Sequence, residues 1–332
     1  MLKQKLTLDV PAYYQANNGV CGFSYTDALL CIGSCFAQNM GERLVEHKFN
    51  AVVNPYGIVF NPLVLAQQLN AAIHNFPLND NDIIYTDGLY YSYQAHSIVY
   101  ATTKAELLTQ LNNIQHNLLT QLKNAHYLIL TWGSAYYYTR VNDGIMVSNC
   151  HKQPQALFTK EFCTAAQIEI VYTQLIQQLQ TINPTLQVLL TVSPVRYIRD
   201  GIIENNNSKA QLISATHRLV QDNENVFYFP AYELIIDDLR DYRYFAADKV
   251  HPSTEAIDYV WQAFIANLLS KHDVQLFDVV QRIVKAAKHR TLHPKALSSK
   301  MFTTSHLQLC EQTMHKYPHV NLQHEIQHFT TH

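Results

Sequence analysis

Four short apolar runs constrain the fold of this chain more than any other feature of its sequence. They span residues 28–32, 127–131, 188–192 and 226–229. Each is brief, rich in branched or aromatic residues and closed by turn residues, which is typical of buried strands. The segments between them have helical spacing, as where Phe36, Met40 and Leu44 fall on one face. Strands that alternate with helices predict a parallel sheet covered by helices on both faces.

The alternating pattern extends over residues 1–270, which we interpret as one α/β domain. Within it, residues 80–100 include Tyr90-Tyr91-Ser92-Tyr93 and are predicted to form a short aromatic hairpin or lid inserted between the first two apolar runs. Beyond residue 270 the pattern weakens. The histidine-rich residues 271–332 are therefore predicted to form a C-terminal helical extension.

The composition excludes several classes of function. The 332 residues include 24 Lys and Arg against 26 Asp and Glu, without a block of like charge, so no nucleic-acid partner is expected. There is no apolar run of about 18 residues and no secretory signal after Met1, so we expect neither a membrane span nor export. The six cysteines are scattered without a Cys-x-x-Cys pair, which favours reduced thiols in a cytoplasmic protein.

Two histidine pairs are the candidate metal ligands. His289 with His293 and His324 with His328 have the spacing that places two imidazoles on one helical face. The first pair lacks the His-Glu-x-x-His arrangement, whereas residues 324–328 spell it in the C-terminal extension. No glycine-rich nucleotide-binding loop is present. We expect an activity that uses neither a metal nor a cofactor.

A nucleophile-capable pair follows the first apolar run. Gly33 forms a turn after the run, Ser34 stands where the N-cap of the next helix is expected, and Cys35 stands in its first turn. The unpaired N–H groups and the positive dipole end of a helix N-terminus stabilise a thiolate or an oxyanion. A capping serine followed by a buried cysteine is the structural alternative.

A second candidate lies far downstream, at Asp248-Lys249-Val250-His251. A carboxylate three residues before a histidine can orient the imidazole, so that its other nitrogen serves as a general base and later as a general acid. This spacing is common, and a purely structural turn explains it equally well. The combination with the pair near residue 34 is more specific than either motif alone.

The pentapeptide Gly33-Ser34-Cys35-Phe36-Ala37 spells the signature after which the GSCFA family is named, and the chain resembles that family over about residues 20–270. The GSCFA family in turn is similar to the SGNH/GDSL hydrolases. The resemblance implies a flavodoxin-like three-layer α/β/α sandwich and an esterase or acyltransferase that uses a nucleophile-His-Asp triad. It also implies an ester-linked acyl substrate such as an O-acetylated carbohydrate. The similarity includes residues 54–57, 131–134, 149–152, 191–196 and 248–253.

The SGNH pattern leaves the nucleophile open. That pattern begins with Gly-Asp-Ser, in which the serine is the nucleophile. In strict register Gly33 matches the glycine, Ser34 the aspartate and Cys35 the serine, which favours Cys35. Ser34 is the alternative because serine is the residue type the pattern uses. Asp248 and His251 match the acid and the base.

The resemblance also implies a set of oxyanion donors. Gly57 matches the oxyanion glycine of the second SGNH block, and Gly133, followed by Ser134, matches the start of the third. Ala135 stands where the third block has an asparagine donor, and the loss of one such donor typically costs about 3 kcal/mol of transition-state stabilisation. Asn54 and Asn149 are candidate replacements.

Two histidines and two arginines are further candidates for the substrate pocket. His96 and His151 could line it, although a structural role is the more common one for such a histidine. Arg196 and its neighbour Arg199 could hold a carboxylate or phosphate of the substrate, or pair with Asp200 or Asp237.

Two rival functions remain at the level of sequence. A non-catalytic SGNH-like module that binds a glycan in an aromatic cleft is supported by Ala135 at the donor position. A papain-like enzyme is disfavoured, because a strand and a glycine turn precede Cys35 rather than a long central helix. A small-molecule or glycan substrate is the expected partner.

Overall fold

The computed structural model describes residues 22–78, 80–289, 293 and 296–331. The strands are β1 (Ala28–Gly33), β2 (Asn50–Val53), β3 (Ile83–Thr86), β4 (Leu89–Ser92), β5 (Tyr100–Ala101), β6 (Tyr127–Trp132), β7 (Tyr136–Arg140), β8 (Met146–Val147), β9 (Phe158–Phe162), β10 (Gln187–Val192) and β11 (Val226–Tyr228). The main helices are α1 (Cys35–Glu46), α2 (Pro62–His74), α3 (Lys104–Asn124), α4 (Ala165–Ile182), α5 (Ile202–Asp222), α6 (Thr254–Leu268), α7 (Val274–Ala287), α8 (Leu297–Lys316) and α9 (Gln323–Thr331).

Five parallel strands form the central sheet. Their spatial order is β2-β1-β6-β10-β11, and each neighbouring pair is parallel. Numbered along the chain within this sheet, the order is 2-1-3-4-5, which is the flavodoxin-like order. All six residues of β6 are buried, as expected for the middle strand of a sheet covered on both faces. The predicted three-layer α/β/α fold is confirmed.

Helices cover both faces of the sheet. On one face α2, α3, α4 and α5 contribute to one hydrophobic cluster, with β6 and β10 beneath them. On the other face α1, α6 and α7 contribute to a second cluster, which also includes residues of α8 and α9. The predicted apolar face of α1 is confirmed, because Phe36, Met40 and Leu44 are all buried against the sheet.

Two small antiparallel sheets lie outside the central sheet. β3, β4 and β5 form one of them within residues 80–101, and β7, β8 and β9 form the other. Arg140 joins them, because its guanidinium lies 2.8 Å from Oδ1 of Asp82 and also binds Asp143 at 2.6 Å. The sheet of β7, β8 and β9 was not predicted from the sequence pattern.

The C-terminal region is helical, as predicted, with α7, α8 and α9 in the part that the structure describes. Cys310 of α8 and Phe329 of α9 are buried in the cluster that contains α1 and α6. Nζ of Lys48 lies 2.7 Å from Oε1 of Glu325, which ties α9 to the turn after α1. None of the helices within the described ranges is long and apolar enough to cross a membrane.

Candidate functional site

The turn between β1 and α1 is built so tightly that only glycine fits at its first position. A Cβ on Gly33 would lie 2.2 Å from the carbonyl oxygen of Thr131, and its φ of +145° is one that L side chains rarely adopt. The Gly33 N–H donates to Oδ1 of Asn54 at 2.8 Å, and the Ser34 N–H donates to the Thr131 carbonyl at 3.1 Å. The start of α1 is therefore fixed against both β6 and the loop after β2.

Ser34 and Cys35 have different surroundings. Oγ of Ser34 accepts the Phe36 N–H at 3.2 Å, which confirms the predicted N-cap, and the residue is only 4% exposed. Cys35, the first residue of α1, is half-buried. Its N–H stands where a helix has no intrahelical acceptor, at the positive end of the helix dipole. Cys35 is thus the more accessible of the two.

Burial raises the pKa of the Cys35 thiol above its ordinary value. Desolvation disfavours the charged thiolate more than the nearby backbone N–H favours it. The thiol is therefore neutral near neutral pH, and a base must remove its proton when it attacks.

Asp248 and His251 form a side-chain pair. Nδ1 of His251 lies 2.7 Å from Oδ2 of Asp248, and the other carboxylate oxygen accepts the backbone N–H groups of Val250 and His251 at 2.9 and 3.0 Å. The hydrogen bond from the imidazole, together with these two, lowers the pKa of Asp248 to about 2. Because the carboxylate accepts from Nδ1, the Nε2 atom is the one that can take a proton.

The helices that carry these two groups are neighbours. α1 begins at Cys35, and α6 begins three residues after His251. Arg43 of α1 forms an ion pair with Asp258 of α6, and both helices pack into the same cluster. The described residues show no hydrogen bond from His251 to Ser34 or Cys35.

The matched oxyanion glycines use their N–H groups within the fold. The Gly57 N–H donates to the Asn54 carbonyl at 2.7 Å. The N–H groups of Gly133 and Ser134 both donate to the Phe60 carbonyl, at 2.7 and 3.2 Å. These three groups are therefore engaged in this conformation, in contrast to the oxyanion role that the resemblance implies. In this conformation the Cys35 N–H remains as a candidate donor to an oxyanion.

The two candidate replacement asparagines stabilise turns. Asn54, besides accepting from Gly33, donates Nδ2 to Gln38 of α1 at 2.8 Å. Oδ1 of Asn149 accepts the His151 N–H at 2.8 Å, and the His151 ring in turn contacts the carbonyl of Ser92, the last residue of β4. Asn54 therefore braces the nucleophile turn, while Asn149 lies in a different cluster.

The two candidate histidines also separate. His96 packs against Gly57, where an added Cβ would lie 2.5 Å from the Cβ of His96, so it borders the candidate site. Nε2 of His151 lies 2.7 Å from the Ser92 carbonyl, and its ring packs on Tyr91. Burial lowers the pKa of both imidazoles. In this conformation His151 therefore contacts β4, and its place in a substrate pocket stays a prediction.

Arg196 holds the loop of the Asp248–His251 pair. Its guanidinium lies 4.0 Å from the centre of the Phe245 ring, its Nη1 donates to the Lys249 carbonyl at 3.2 Å, and its N–H donates to the Val250 carbonyl at 3.2 Å. The ion pair considered in the sequence analysis is not formed by Arg196 within the described ranges. Lys160, rather than an arginine, pairs with Asp200.

Comparison with known families places the chain. The model of the GSCFA family matches residues 28–264, a span that includes both Cys35 and His251. The chain belongs to the GSCFA family. A second model, that of the GSCFA domain protein C-terminal domain, matches residues 280–332. A search of curated proteins finds no match.

Three buried polar side chains of the GSCFA protein were missed in the sequence analysis. Asn205, Ser208 and Lys209 lie on the face of α5 that is turned toward the sheet, and each is at most 4% exposed. A lysine within a helix is usually exposed, so Lys209 carried no signal by itself. Their spacing continues that of Leu212 and Ala215 on the apolar face, and this pattern could have identified them.

A cavity of about 660 Å³ lies at the opposite end of the sheet, beside the first residue of β2. It opens between this end of the GSCFA domain and the C-terminal helices, and it is lined by Tyr25, Thr26, Val45, Lys48, Phe49, Asn50, His319, Asn321, Gln323 and His324. No cysteine borders it. Across the described ranges no three His, Cys, Asp or Glu side chains are grouped so as to hold a metal ion.

Proposed function

We propose that this GSCFA protein hydrolyses or transfers an ester-linked acyl group, with Cys35 as nucleophile, His251 as base and Asp248 as the group that orients the imidazole. The observation that carries the proposal is the placement of two motifs from distant parts of the chain. The helix that starts at Cys35 and the helix that follows the Asp248–His251 pair contribute to the same hydrophobic cluster and are joined by the ion pair of Arg43 with Asp258.

The chemistry requires two acyl-transfer steps. Sγ of Cys35 attacks the acyl carbonyl while Nε2 of His251 takes the thiol proton, and the Cys35 N–H stabilises the oxyanion. The intermediate collapses to a thioester as the alcohol leaves with the proton from His251. Water or an acceptor alcohol then attacks the thioester, His251 takes its proton and returns it to Sγ, and the acid or new ester leaves. Asp248 stabilises the imidazolium in both steps.

The nucleophile and the base must approach each other for the first step. Catalytic hydrogen bonds in unliganded enzymes are often long and tighten only when substrate binds. The His251 side chain is half-exposed and lies on a loop, which gives it room to move. Arg196 supports that loop through backbone carbonyls, and the imidazole itself is held by its hydrogen bond to Asp248.

Cys35 is preferred over Ser34 on structural grounds. The Ser34 hydroxyl caps α1 and is nearly inaccessible, whereas the Cys35 side chain is half-buried at the same helix end. An O-acylated carbohydrate remains the proposed substrate class, by resemblance to the SGNH hydrolases. The five free thiols of the described residues favour a reducing, cytoplasmic environment.

Hydrolysis of p-nitrophenyl acetate by the full chain tests the proposal. We expect Cys35→Ala and His251→Ala each to lower kcat/KM at least 100-fold, as removal of a nucleophile or its base does in other enzymes. Cys150→Ala is the matched thiol control, because Cys150 is also half-buried, and His126→Gln is the control for an exposed histidine beside an aspartate. Both controls should retain wild-type activity.

A non-catalytic glycan-binding module is the second candidate. The occupied N–H groups of Gly57, Gly133 and Ser134 favour it, because an esterase needs free oxyanion donors. Wild-type protein that hydrolyses none of a series of acyl esters faster than buffer, while binding glycans on an array, would establish this alternative and exclude the esterase.

A further inference from the structure

Three side chains of α5 bind the backbone where two central strands end. Asn205, Ser208 and Lys209, which we call the α5 clamp, have i, i+3 and i+4 spacing and therefore share one helical face. Oδ1 of Asn205 accepts the Tyr197 N–H at 2.8 Å, and Oγ of Ser208 accepts the Ala135 N–H at 2.8 Å. The clamp thus contacts both the turn after β6 and the loop after β10.

Lys209 is the member that contacts both of these segments at once. Its Nζ donates to the Gly133 carbonyl at 2.5 Å and to the Ser193 carbonyl at 2.7 Å. The side chain is 1% exposed, and burial lowers the pKa of its amine to about 7. A buried amine without hydrogen-bond acceptors is strongly destabilising, so the chain keeps Lys209 buried only while both carbonyls remain in reach.

The two segments lead to the two halves of the proposed active site. Gly133 lies against the nucleophile turn, since a Cβ added to it would be 3.3 Å from the Cβ of Ser34. The loop that starts at Ser193 leads to Arg196, whose N–H and guanidinium bind the carbonyls of Val250 and Lys249 next to His251. A change in the spacing of the two segments would therefore change the distance from Cys35 to His251.

We propose that Lys209 is a positioning residue, which fixes the separation between the turn after β6 and the loop after β10 and thereby the separation between Cys35 and His251. The predicted effect of Lys209 on catalysis rests on the proposed ester chemistry, whereas its effect on the separation of the two segments does not. Lys209 touches no substrate in this role. It acts through the Gly133 and Ser193 carbonyls.

Lys209→Met in the full chain tests the proposal, because methionine keeps most of the buried volume and removes both N–H donors. We expect kcat for p-nitrophenyl acetate to fall about 10- to 100-fold, the size of effect that a displacement of about 1 Å produces, while KM changes less than about twofold. Amide hydrogen exchange should accelerate at residues 133–135 and 193–197 and not throughout the chain. Lys123→Met, at an exposed lysine of α3, is the matched control and should change neither quantity.

The two readouts separate the possible failures. An active wild type with an unchanged kcat in Lys209→Met overturns the positioning role and leaves the esterase standing. If the wild type hydrolyses no ester, the proposed function fails. Amide hydrogen exchange at residues 133–135 and 193–197 then decides whether Lys209 holds the two segments. Uniformly faster exchange overturns the inference, because it indicates only general destabilisation. Should the methionine variant not fold, Lys209→Gln, which keeps a shorter donor, must give an intermediate kcat, and a wild-type value overturns the proposal.

Discussion

Ser34 and Cys35 are adjacent residues that the fold uses differently. The serine hydroxyl accepts a backbone N–H and stabilises the end of α1, which leaves it buried. The cysteine is one position further into the helix and half-buried, with its pKa raised by burial. Cys35 is therefore favoured as the nucleophile both by the register of the SGNH pattern and by its accessibility, although the SGNH pattern itself has a serine as nucleophile.

The pKa of Cys35 predicts how its alkylation depends on pH. Since the raised pKa keeps the thiol protonated at neutral pH, the rate of reaction with iodoacetamide should still be rising where the pH passes the ordinary thiol pKa of about 8.5. Peptide mass spectrometry measures the rate at Cys35 separately from that at Cys150. A plateau reached below pH 8 would mean a preformed thiolate, and would contradict a mechanism in which His251 takes the proton during attack.

At the scale of elements, the sequence pattern predicted the strands and helices that bury a long apolar surface. The four predicted apolar runs are β1, β6, β10 and β11, because strands of a doubly covered sheet are apolar along their whole length. β2 was missed because it has only four residues at the edge of the sheet, none of them fully buried. Helices such as α1 were predicted because they have a periodic apolar face that packs on the sheet, whereas α2 was not predicted.

The candidate site was predictable only in part. The N-cap at Ser34 and the pairing of Asp248 with His251 result from local spacing, and the structure contains both. The occupied N–H of Gly57 and the contacts of Lys209 depend on residues distant in the chain, so no local pattern reports them. Arg196 forms no ion pair with an aspartate within the described ranges, and its role in holding a substrate anion stays a prediction. Its guanidinium lies over the rings of Tyr242 and Phe245, and the residue donates to two carbonyls of the His251 loop.

The N-cap of α1 gives a test at the scale of this element. Ser34→Ala removes the acceptor of the Phe36 N–H and should lower the free energy of unfolding by about 1 kcal/mol, measured by urea denaturation. Ser34→Asn, which keeps a capping oxygen, should retain most of that stability. Ester hydrolysis should persist in both variants once they are folded. Activity lost in Ser34→Ala but kept in Cys35→Ala would make Ser34 the nucleophile.

At the scale of the whole molecule, the C-terminal helices complete one of the two hydrophobic clusters. Cys310, Val320, Leu322 and Phe329 are buried in the cluster that also holds α1 and α6, the helices of the proposed site. Lys48 and Glu325 form the ion pair that joins the turn after α1 to α9. The stability of the site elements is therefore expected to depend on the C-terminal region.

Removal of one partner of this ion pair tests that dependence. Lys48→Met leaves the Glu325 carboxylate, whose side chain is 6% exposed, without its cation and should lower the free energy of unfolding by about 3 kcal/mol. Lys48→Met combined with Glu325→Gln removes both charges and should recover part of the loss. A calorimetric Tm that is unchanged in the single variant would show that this ion pair does not contribute to the stability of the domain.

If Cys35 is the nucleophile and His251 its base, a covalent acyl intermediate must form on Cys35. To detect it, the wild-type protein is mixed with p-nitrophenyl acetate and quenched with acid, and the acyl group is located by peptide mass spectrometry. We expect one acetyl group on Cys35, absent in Cys35→Ala and formed far more slowly in His251→Ala. An acetyl group on Ser34, or an adduct on Cys35 that forms at the same rate without His251, would contradict these roles of Cys35 and His251.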